Sequence, residues 1–145
     1  FIRRTDSPDW NNAFINFDYK DLFVAPNYQV TELWYDNFSK YRLAYEGDTK
    51  DLSVVTTLSE DGRHIIVKVV NATDKPYQLA IQGNWKGISG GEYKYYAPGD
   101  LMIANSMDKK DAVALKNRPV DAVDNGMTLE VEPYSAGVLK IERTF

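Results

Sequence analysis

The sequence contains no cysteine, and several other features that define a class of function are also scarce. Without cysteine there can be no disulfide, no thiolate nucleophile and no cysteine-ligated metal. The net charge of −4 and the pI of about 5.0 provide no basic surface for nucleic acid or for an anionic membrane. No apolar run has the length of a membrane span. We therefore expect a globular protein without a nucleic-acid partner or a membrane partner.

Histidine is almost as scarce, which limits the catalytic chemistry. His64 is the only one, and it follows an Asp-Gly turn, so we expect an exposed strand residue rather than a member of a Ser–His–Asp triad or a metal site. No P-loop, EF-hand, HExxH or dinucleotide-binding pattern occurs. Lys86 with the glycines of 87–91 lacks the spacing and the following helix of a phosphate site. The sequence predicts no metal and no cofactor.

Aromatic and β-branched residues are abundant. Hydrophobic residues make up 43% of the 145 positions and aromatic residues 13%, which suits a domain with a real core. Runs of such residues between turn residues predict strands, at 13–17, 52–58, 64–70, 77–81, 92–96, 120–123, 127–131 and 136–141. Asp-Gly and Asn-Gly pairs mark two hairpins, and the glycine-rich segment 83–91 is predicted to be a loop. This spacing, with few helices, favours a mainly β fold, an antiparallel sandwich of jelly-roll-like type.

The first forty residues have a different pattern. Pro26 opens a helical periodicity that continues to Phe38. One stripe of this helix is apolar and a second is aromatic, and they consist of Val30, Leu33, Trp34 and Phe38, and of Tyr28, Thr31 and Tyr35. Because a surface helix needs only one such stripe, we expect this one to lie between two bodies. A strand followed by a helix is the repeating unit of a (β/α)8 barrel, so we predict one strand–loop–helix unit of such a barrel at 1–40 and a β-sandwich at 41–145.

A series of short motifs along the chain carries a family resemblance. They are Phe14–Asp18, Ala25–Tyr28 with Leu33-Trp34, Glu46–Lys50, Val67–Asn71 with Thr73-Asp74, Ala104–Ser106, Asp111–Val113 and Pro133–Ala136. In this order they resemble the α-L-arabinofuranosidases of glycoside hydrolase family fifty-one, from the end of the barrel through the C-terminal domain. Lys110 and Ala72 stand where members of that family often carry proline.

The resemblance implies a function for the parent enzyme rather than for this chain alone. The family are retaining glycoside hydrolases that remove terminal α-L-arabinofuranosyl groups from arabinose-containing polysaccharides, using two Glu residues on barrel strands. No residue here matches either Glu motif, so the resemblance implies a domain without catalytic residues that supports the stability or assembly of the barrel. The implied partners are the barrel of the same polypeptide and, through the intact enzyme, an arabinose-containing oligosaccharide. A homo-oligomer stays open.

Two places in the sequence could contact a sugar. Asp18 follows the barrel-type strand, where it would either face an active site or cap the nearby turn. Trp85, Tyr93 and Tyr95 could form a platform on which a sugar ring stacks, or they could pack in the core or against a neighbouring domain. Alternation along a strand places Tyr93 and Tyr95 on one face and Tyr96 on the other. The competing functions are therefore a carbohydrate-binding module for arabinoxylan or arabinan, and an enzyme in its own right.

The start of the sequence suggests a longer gene product. It begins Phe1-Ile2 without a methionine, which is typical of a cut within a larger protein. A targeting signal would then lie outside the sequence, so the compartment stays open. We expect a bacterial protein, either cytoplasmic or exported.

Overall fold

The computed structural model describes residues 2–7, 12–83, 87–124 and 126–144. The elements in chain order are β1 (Ile2–Arg4), β2 (Ile15–Phe17), β3 (Leu22–Val24), α1 (Pro26–Asp36), β4 (Tyr41–Leu43), β5 (Leu52–Leu58), β6 (His64–Asn71), β7 (Tyr77–Gln82), β8 (Ile88–Tyr96), β9 (Lys116–Val120), β10 (Ala122–Val123), β11 (Gly126–Val131) and β12 (Ser135–Arg143). The predicted mainly β fold, with antiparallel sheets and one short helix, is confirmed. No helix among these residues has the length and apolarity that crossing a bilayer requires.

Two antiparallel sheets form the body of the fold. The larger has the order β4-β5-β6-β12-β8-β9 and the smaller has the order β10-β11-β7. On the larger sheet, Leu139 stands between Val67 and Tyr93 on the neighbouring strands, and all three are at most 1% exposed. Leu129 of the smaller sheet belongs to the same buried cluster. The inward faces of the two sheets therefore share one core, as in a β-sandwich.

Glycine on β12 makes room for the aromatic residues of β8. A Cβ on Gly137 would lie 2.6 Å from a ring carbon and the hydroxyl oxygen of Tyr93 and 2.6 Å from the Cβ of Tyr95. A Cβ on Gly91 would lie 2.9 Å from the carbonyl oxygen of Lys140. Only glycine permits such close approach without a shift of the neighbouring atoms.

Several predicted boundaries need correction. The predicted loop over 83–91 is wrong for its last four residues, because residues 88–91 belong to β8 and pair with β12. The predicted strand 120–123 is divided, since β9 ends at Val120 and β10 begins at Ala122. Neither β4 nor the greater part of β9 was predicted from the sequence. Both are edge strands of the larger sheet, and β9 contains Pro119, which is tolerated only where no neighbour needs its N–H.

The N-terminal unit, residues 2–7 and 12–40, consists of a small sheet and the helix. β1 pairs with β2 in parallel, and β3 pairs with the other edge of β2 in antiparallel orientation. The helix begins at Pro26 as predicted, but it ends at Asp36 and not at Phe38. The side chain of Asn37 caps this end by donating its Nδ2–H to the carbonyl oxygen of Leu33 at 2.9 Å. Phe38 therefore lies outside the helix and is 75% exposed.

The apolar stripe of α1 packs on the outer face of the larger sheet. Leu33 is buried there in a cluster with Ile66, Tyr96, Val113 and Val138, and Val30 and Trp34 pack against this cluster. The backbone carbonyl of Trp34 also accepts a hydrogen bond of 2.8 Å from the ammonium group of Lys68. The larger sheet is therefore covered by the smaller sheet on one face and by α1 on the other.

Candidate functional site

Asp18 stands at the start of the turn that joins β2 to β3. Its Oδ1 accepts the backbone N–H groups of Lys20 at 2.7 Å and of Asp21 at 2.8 Å. The backbone N–H of Asp18 donates to the carbonyl oxygen of Asp21 at 2.9 Å. This is the arrangement of a side chain that caps a tight turn. Of the two roles expected for Asp18, the geometry corresponds to turn capping.

The same turn carries a residue that the sequence reasoning missed. Tyr19 is 89% exposed, and the ammonium group of Lys20 lies 5.3 Å from the centre of its ring. Asp21 forms an ion pair with Lys110. The hydrogen bond from Lys110, assisted by the backbone N–H of Leu22, holds the pKa of Asp21 below its ordinary value. An aromatic residue between turn-forming polar residues was the available signal for Tyr19.

Tyr93 and Tyr95 lie in the core, on the same face of β8. Their rings stack at 4.6 Å with an interplanar angle of 11°. The guanidinium carbon of Arg118 lies 5.5 Å from the centre of the first ring and 5.1 Å from the centre of the second. At 0% and 5% exposure, the two residues offer no ring face to a sugar. Their placement corresponds to the core-packing alternative, and Trp85 lies outside the described residues.

A polar cluster borders these two rings. The hydroxyl of Tyr95 donates to Oε1 of Glu132 at 2.6 Å, and the ammonium group of Lys116 donates to Oε2 at 3.0 Å. Burial and the hydrogen bond to Glu132 raise the pKa of Tyr95 to about 12, and burial also raises the pKa of Tyr93. Partial burial opposes the ionisation of Glu132, but the two hydrogen bonds and the charge of Lys116 outweigh it, so the pKa of Glu132 is lowered. The hydroxyl of Tyr95 and both carboxylate oxygens of Glu132 therefore have partners within the protein.

His64 and the acidic residues that the structure describes do not form a metal site. His64 is half-buried at the start of β6, rather than exposed as expected, and it stands opposite Glu142 of β12. Within the described ranges, no three side chains of His, Asp or Glu come together in a way that could hold a metal ion.

The junction between the N-terminal unit and the sandwich is made by a buried amide. Asn105 is 5% exposed and lies in the loop between β8 and β9. Its Nδ2–H donates to the carbonyl oxygen of Val24 at 3.0 Å and to Oε1 of Gln29 at 3.1 Å, and its Oδ1 accepts the N–H of Val113 at 2.9 Å. Asn105 therefore ties the end of β3 and the first turns of α1 to the sandwich. The sequence marked it only as part of a family motif.

Two clefts of the sandwich lie away from the β2–β3 turn. One cleft of about 730 Å³ opens between segment 43–49 and β7, at an edge where the two sheets separate. Another, of about 600 Å³, lies beside β9, β10 and β11. Neither is lined by Asp18, Tyr93 or Tyr95.

Comparison with solved structures identifies the architecture. An arabinose-bound α-L-arabinofuranosidase of family fifty-one matches 99% of this chain and 23% of its own, with a TM-score of 0.87 and 16% identity. The thermostable family member from Thermotoga petrophila RKU-1 matches 88% of this chain and 31% of its own, with a TM-score of 0.75 and 18% identity. The family member from Xanthomonas axonopodis pv. citri matches 90% of this chain and 29% of its own, with a TM-score of 0.73 and 14% identity.

At sequence identities this low, the structural matches establish a common fold and nothing finer. The chain has the fold of one part of the α-L-arabinofuranosidases of family fifty-one, and it spans 23% to 31% of the length of the enzymes named above. The resemblance drawn from the short sequence motifs is thus confirmed at the level of the fold. No protein-family model matches the sequence, and no curated protein matches it.

Proposed function

We propose that the chain is the C-terminal, non-catalytic part of an α-L-arabinofuranosidase of family fifty-one. In this proposal residues 1–40 are the end of the catalytic barrel and residues 41–145 are the β-sandwich domain. The intact enzyme hydrolyses terminal α-L-arabinofuranosyl groups of arabinose-containing polysaccharides. The observation that carries the proposal is a fold match over 99% of this chain that occupies only 23% of the matched arabinofuranosidase.

The role of the sandwich is to hold the end of the barrel in place. Leu33 is buried against the larger sheet at 8% exposure, and Lys68 and Asn105 add hydrogen bonds from the sandwich to α1 and β3. Burying one large apolar side chain contributes roughly 1.5–3 kcal/mol, so a junction with several of them resists separation. A helix fixed in this way gives the strand before it a defined position.

The free face of α1 indicates where the remainder of the barrel would lie. In the aromatic stripe, Tyr35 is 80% exposed and Thr31 is exposed, while Tyr28 is half-buried against Phe14 with ring centres 6.0 Å apart. An exposed aromatic stripe is typical of a surface that another body covers. We assign this face to the barrel of the same polypeptide.

The carboxylates of the N-terminal unit do not supply the catalytic pair. A retaining glycosidase needs two carboxyl groups about 5–5.5 Å apart that flank the scissile bond. Asp18 is engaged by two backbone N–H groups, and Asp21 is engaged by Lys110. Neither matches a catalytic Glu motif of the family, so we place the acid/base and the nucleophile upstream of Phe1.

Turnover measurements test the proposal directly. The purified 145-residue chain should release no arabinose from a nitrophenyl α-L-arabinofuranoside above background, whereas the intact polypeptide should do so. The matched controls are Asp18→Asn and Asp21→Asn in the short chain. If the short chain shows turnover and either substitution abolishes it, the non-catalytic role is refuted. If the intact polypeptide is inactive, the proposed parent activity is refuted.

A carbohydrate-binding module is the second candidate that the sequence offers. No observation favours it, because Tyr93 and Tyr95 stack against each other inside the core. Retention of the short chain on an arabinoxylan or arabinan affinity gel would favour a carbohydrate-binding module over a supporting domain.

A further inference from the structure

The β2–β3 turn stands at a place where proteins with parallel strands bind ligands. β1 and β2 are parallel, with Arg4 opposite Phe17, so their carboxyl ends lie at the same edge. The backbone N–H of Thr5 donates to the carbonyl oxygen of Phe17 at 2.8 Å and keeps the two chain segments together beyond the strands. Ligand sites in barrels and in open α/β sheets lie at this edge. The turn begins there, at Asp18.

The backbone of this turn is held from several sides. Asp18 accepts two N–H groups from within the turn, and Oδ1 of Asp21 accepts the N–H of Leu22 at 2.8 Å. The ion pair of Asp21 with Lys110 fastens the turn to the loop that carries Asn105. A residue presented on such a braced turn loses little conformational freedom when a ligand binds.

Tyr19 is the residue that the braced turn presents. Its 89% exposure is the highest among the large hydrophobic side chains described. Within the protein its ring interacts with the Lys20 ammonium group, 5.3 Å from the ring centre. The charge of Asp21, two residues further along the turn, is paired with Lys110. An open aromatic ring suits a polyhydroxylated ligand whose C–H face packs on the ring.

We infer that Tyr19 is a substrate-binding residue that stacks on the neutral oligosaccharide carrying the arabinofuranosyl group. The inference rests on the proposed function, and it assigns the sugar contact to Tyr19 while Asp18 positions the turn. The phenol hydroxyl and the Lys20 ammonium group can donate hydrogen bonds to sugar hydroxyls beside the stacked ring.

Kinetics of the intact polypeptide with two substrates test the inference. The substrates are a nitrophenyl α-L-arabinofuranoside and an arabinoxylo-oligosaccharide. The variants are Tyr19→Ala, Tyr19→Trp and the control Tyr41→Ala. Tyr41 is a matched control because its ring also has a lysine neighbour, with the ammonium group of Lys40 at 5.0 Å, but it lies on β4 of the sandwich.

We expect Tyr19→Ala to raise KM for the oligosaccharide about tenfold, as the loss of a stacked ring predicts. The rise in KM should be smaller for the aryl glycoside, and kcat should change less than KM. Tyr19→Trp should retain most of the affinity for the oligosaccharide, and Tyr41→Ala should behave as wild type. Calorimetry with the same oligosaccharide gives a readout that does not require turnover. An active enzyme in which Tyr19→Ala equals Tyr41→Ala overturns the inference alone. If the wild-type polypeptide binds the oligosaccharide without turnover, and Tyr19→Ala weakens that binding, only the proposed parent activity is overturned. If the wild-type polypeptide does not bind the oligosaccharide, both the parent activity and the inference are overturned.

Discussion

The sandwich has a large buried core of its own, whereas the N-terminal unit buries few of its apolar residues. In the sandwich, Val67, Leu129, Leu139 and Ile141 are at most 1% exposed. In the unit, large apolar side chains remain on the surface, namely Ile2 at 67%, Tyr19 at 89%, Leu22 at 51%, Tyr35 at 80% and Phe38 at 75%. The sandwich supplies both layers of its own core from one stretch of chain. The unit has one small sheet and one helix, so it buries only the face that meets the sandwich.

The largest expected effect separates the two regions by stability. Leu139→Ala should lower the free energy of unfolding by about 2–5 kcal/mol, because Leu139 is fully buried between two strands and its truncation leaves a cavity. Leu22→Ala, the same change at a residue 51% exposed in the unit, should change it by less than about 0.5 kcal/mol. Urea denaturation of both variants measures the difference. Equal losses would show that the two regions are stabilised alike.

A second substitution concerns the contact between the regions. Leu33→Ala should lower the stability of the junction by about 2 kcal/mol, because Leu33 is the buried residue of α1. The expected result is faster tryptic cleavage at Lys20 and Lys40, with little change in cleavage within the sandwich. Phe38→Ala is the control, since Phe38 is 75% exposed just beyond the same helix. Faster cleavage throughout the chain would mean that the junction also stabilises the sandwich.

The sequence was most informative where periodicity and burial agree. The β-branched runs of β5, β6 and β12 alternate or remain apolar between clear turns, and each was predicted nearly at its observed bounds. The beginning of β8 was missed because Gly90 and Gly91 read as a loop. Their small size in fact serves close packing, since a Cβ on Gly91 would lie 3.2 Å from the Met127 side chain.

The apolar periodicity and the residue spacing also failed where hydrogen bonds of polar side chains decide the outcome. Phe38 continues the apolar period of α1, yet the Asn37 cap ends the helix before it. Asn105 contacts residues 76 and 81 positions earlier in the chain, which no spacing in the sequence could indicate. Tyr19 and Asp18 are adjacent in sequence, and only the hydrogen bonds of the turn show that Asp18 caps the turn while Tyr19 is exposed.

At alkaline pH, the loss of stability should reflect the sandwich rather than the unit. The folded state raises the pKa of Tyr95 to about 12 by burial and by its hydrogen bond to Glu132. Tyrosine in an unfolded chain titrates near about 10, so this contribution is complete below that pH and is lost as the pH rises from about 10 to about 12. We expect a loss of about 1–2 kcal/mol over this range, measured by urea denaturation, that Tyr95→Phe reduces. Tyr93 contributes in the same direction, so some dependence should remain. A flat profile in the wild type would contradict the buried placement of both rings.

The smallest expected effect is weak self-association of the short chain through the unit. Tyr35 and Phe38 adjoin at the end of α1, where the N–H of Phe38 donates to the carbonyl oxygen of Tyr35 at 3.0 Å, and both are largely exposed. Burying each is worth roughly 1.5–3 kcal/mol, which the cost of association largely offsets, so any dimer should be weak, with a Kd of about 0.1–1 mM. Sedimentation at increasing concentration should detect it in the wild type and in the sandwich control Val123→Ser, but not in Tyr35→Ser/Phe38→Ser. A strict monomer whose first forty residues resist protease would show that this face of the unit needs no partner. The exposed apolar residues of the unit would then be ordinary surface residues and not part of an interface.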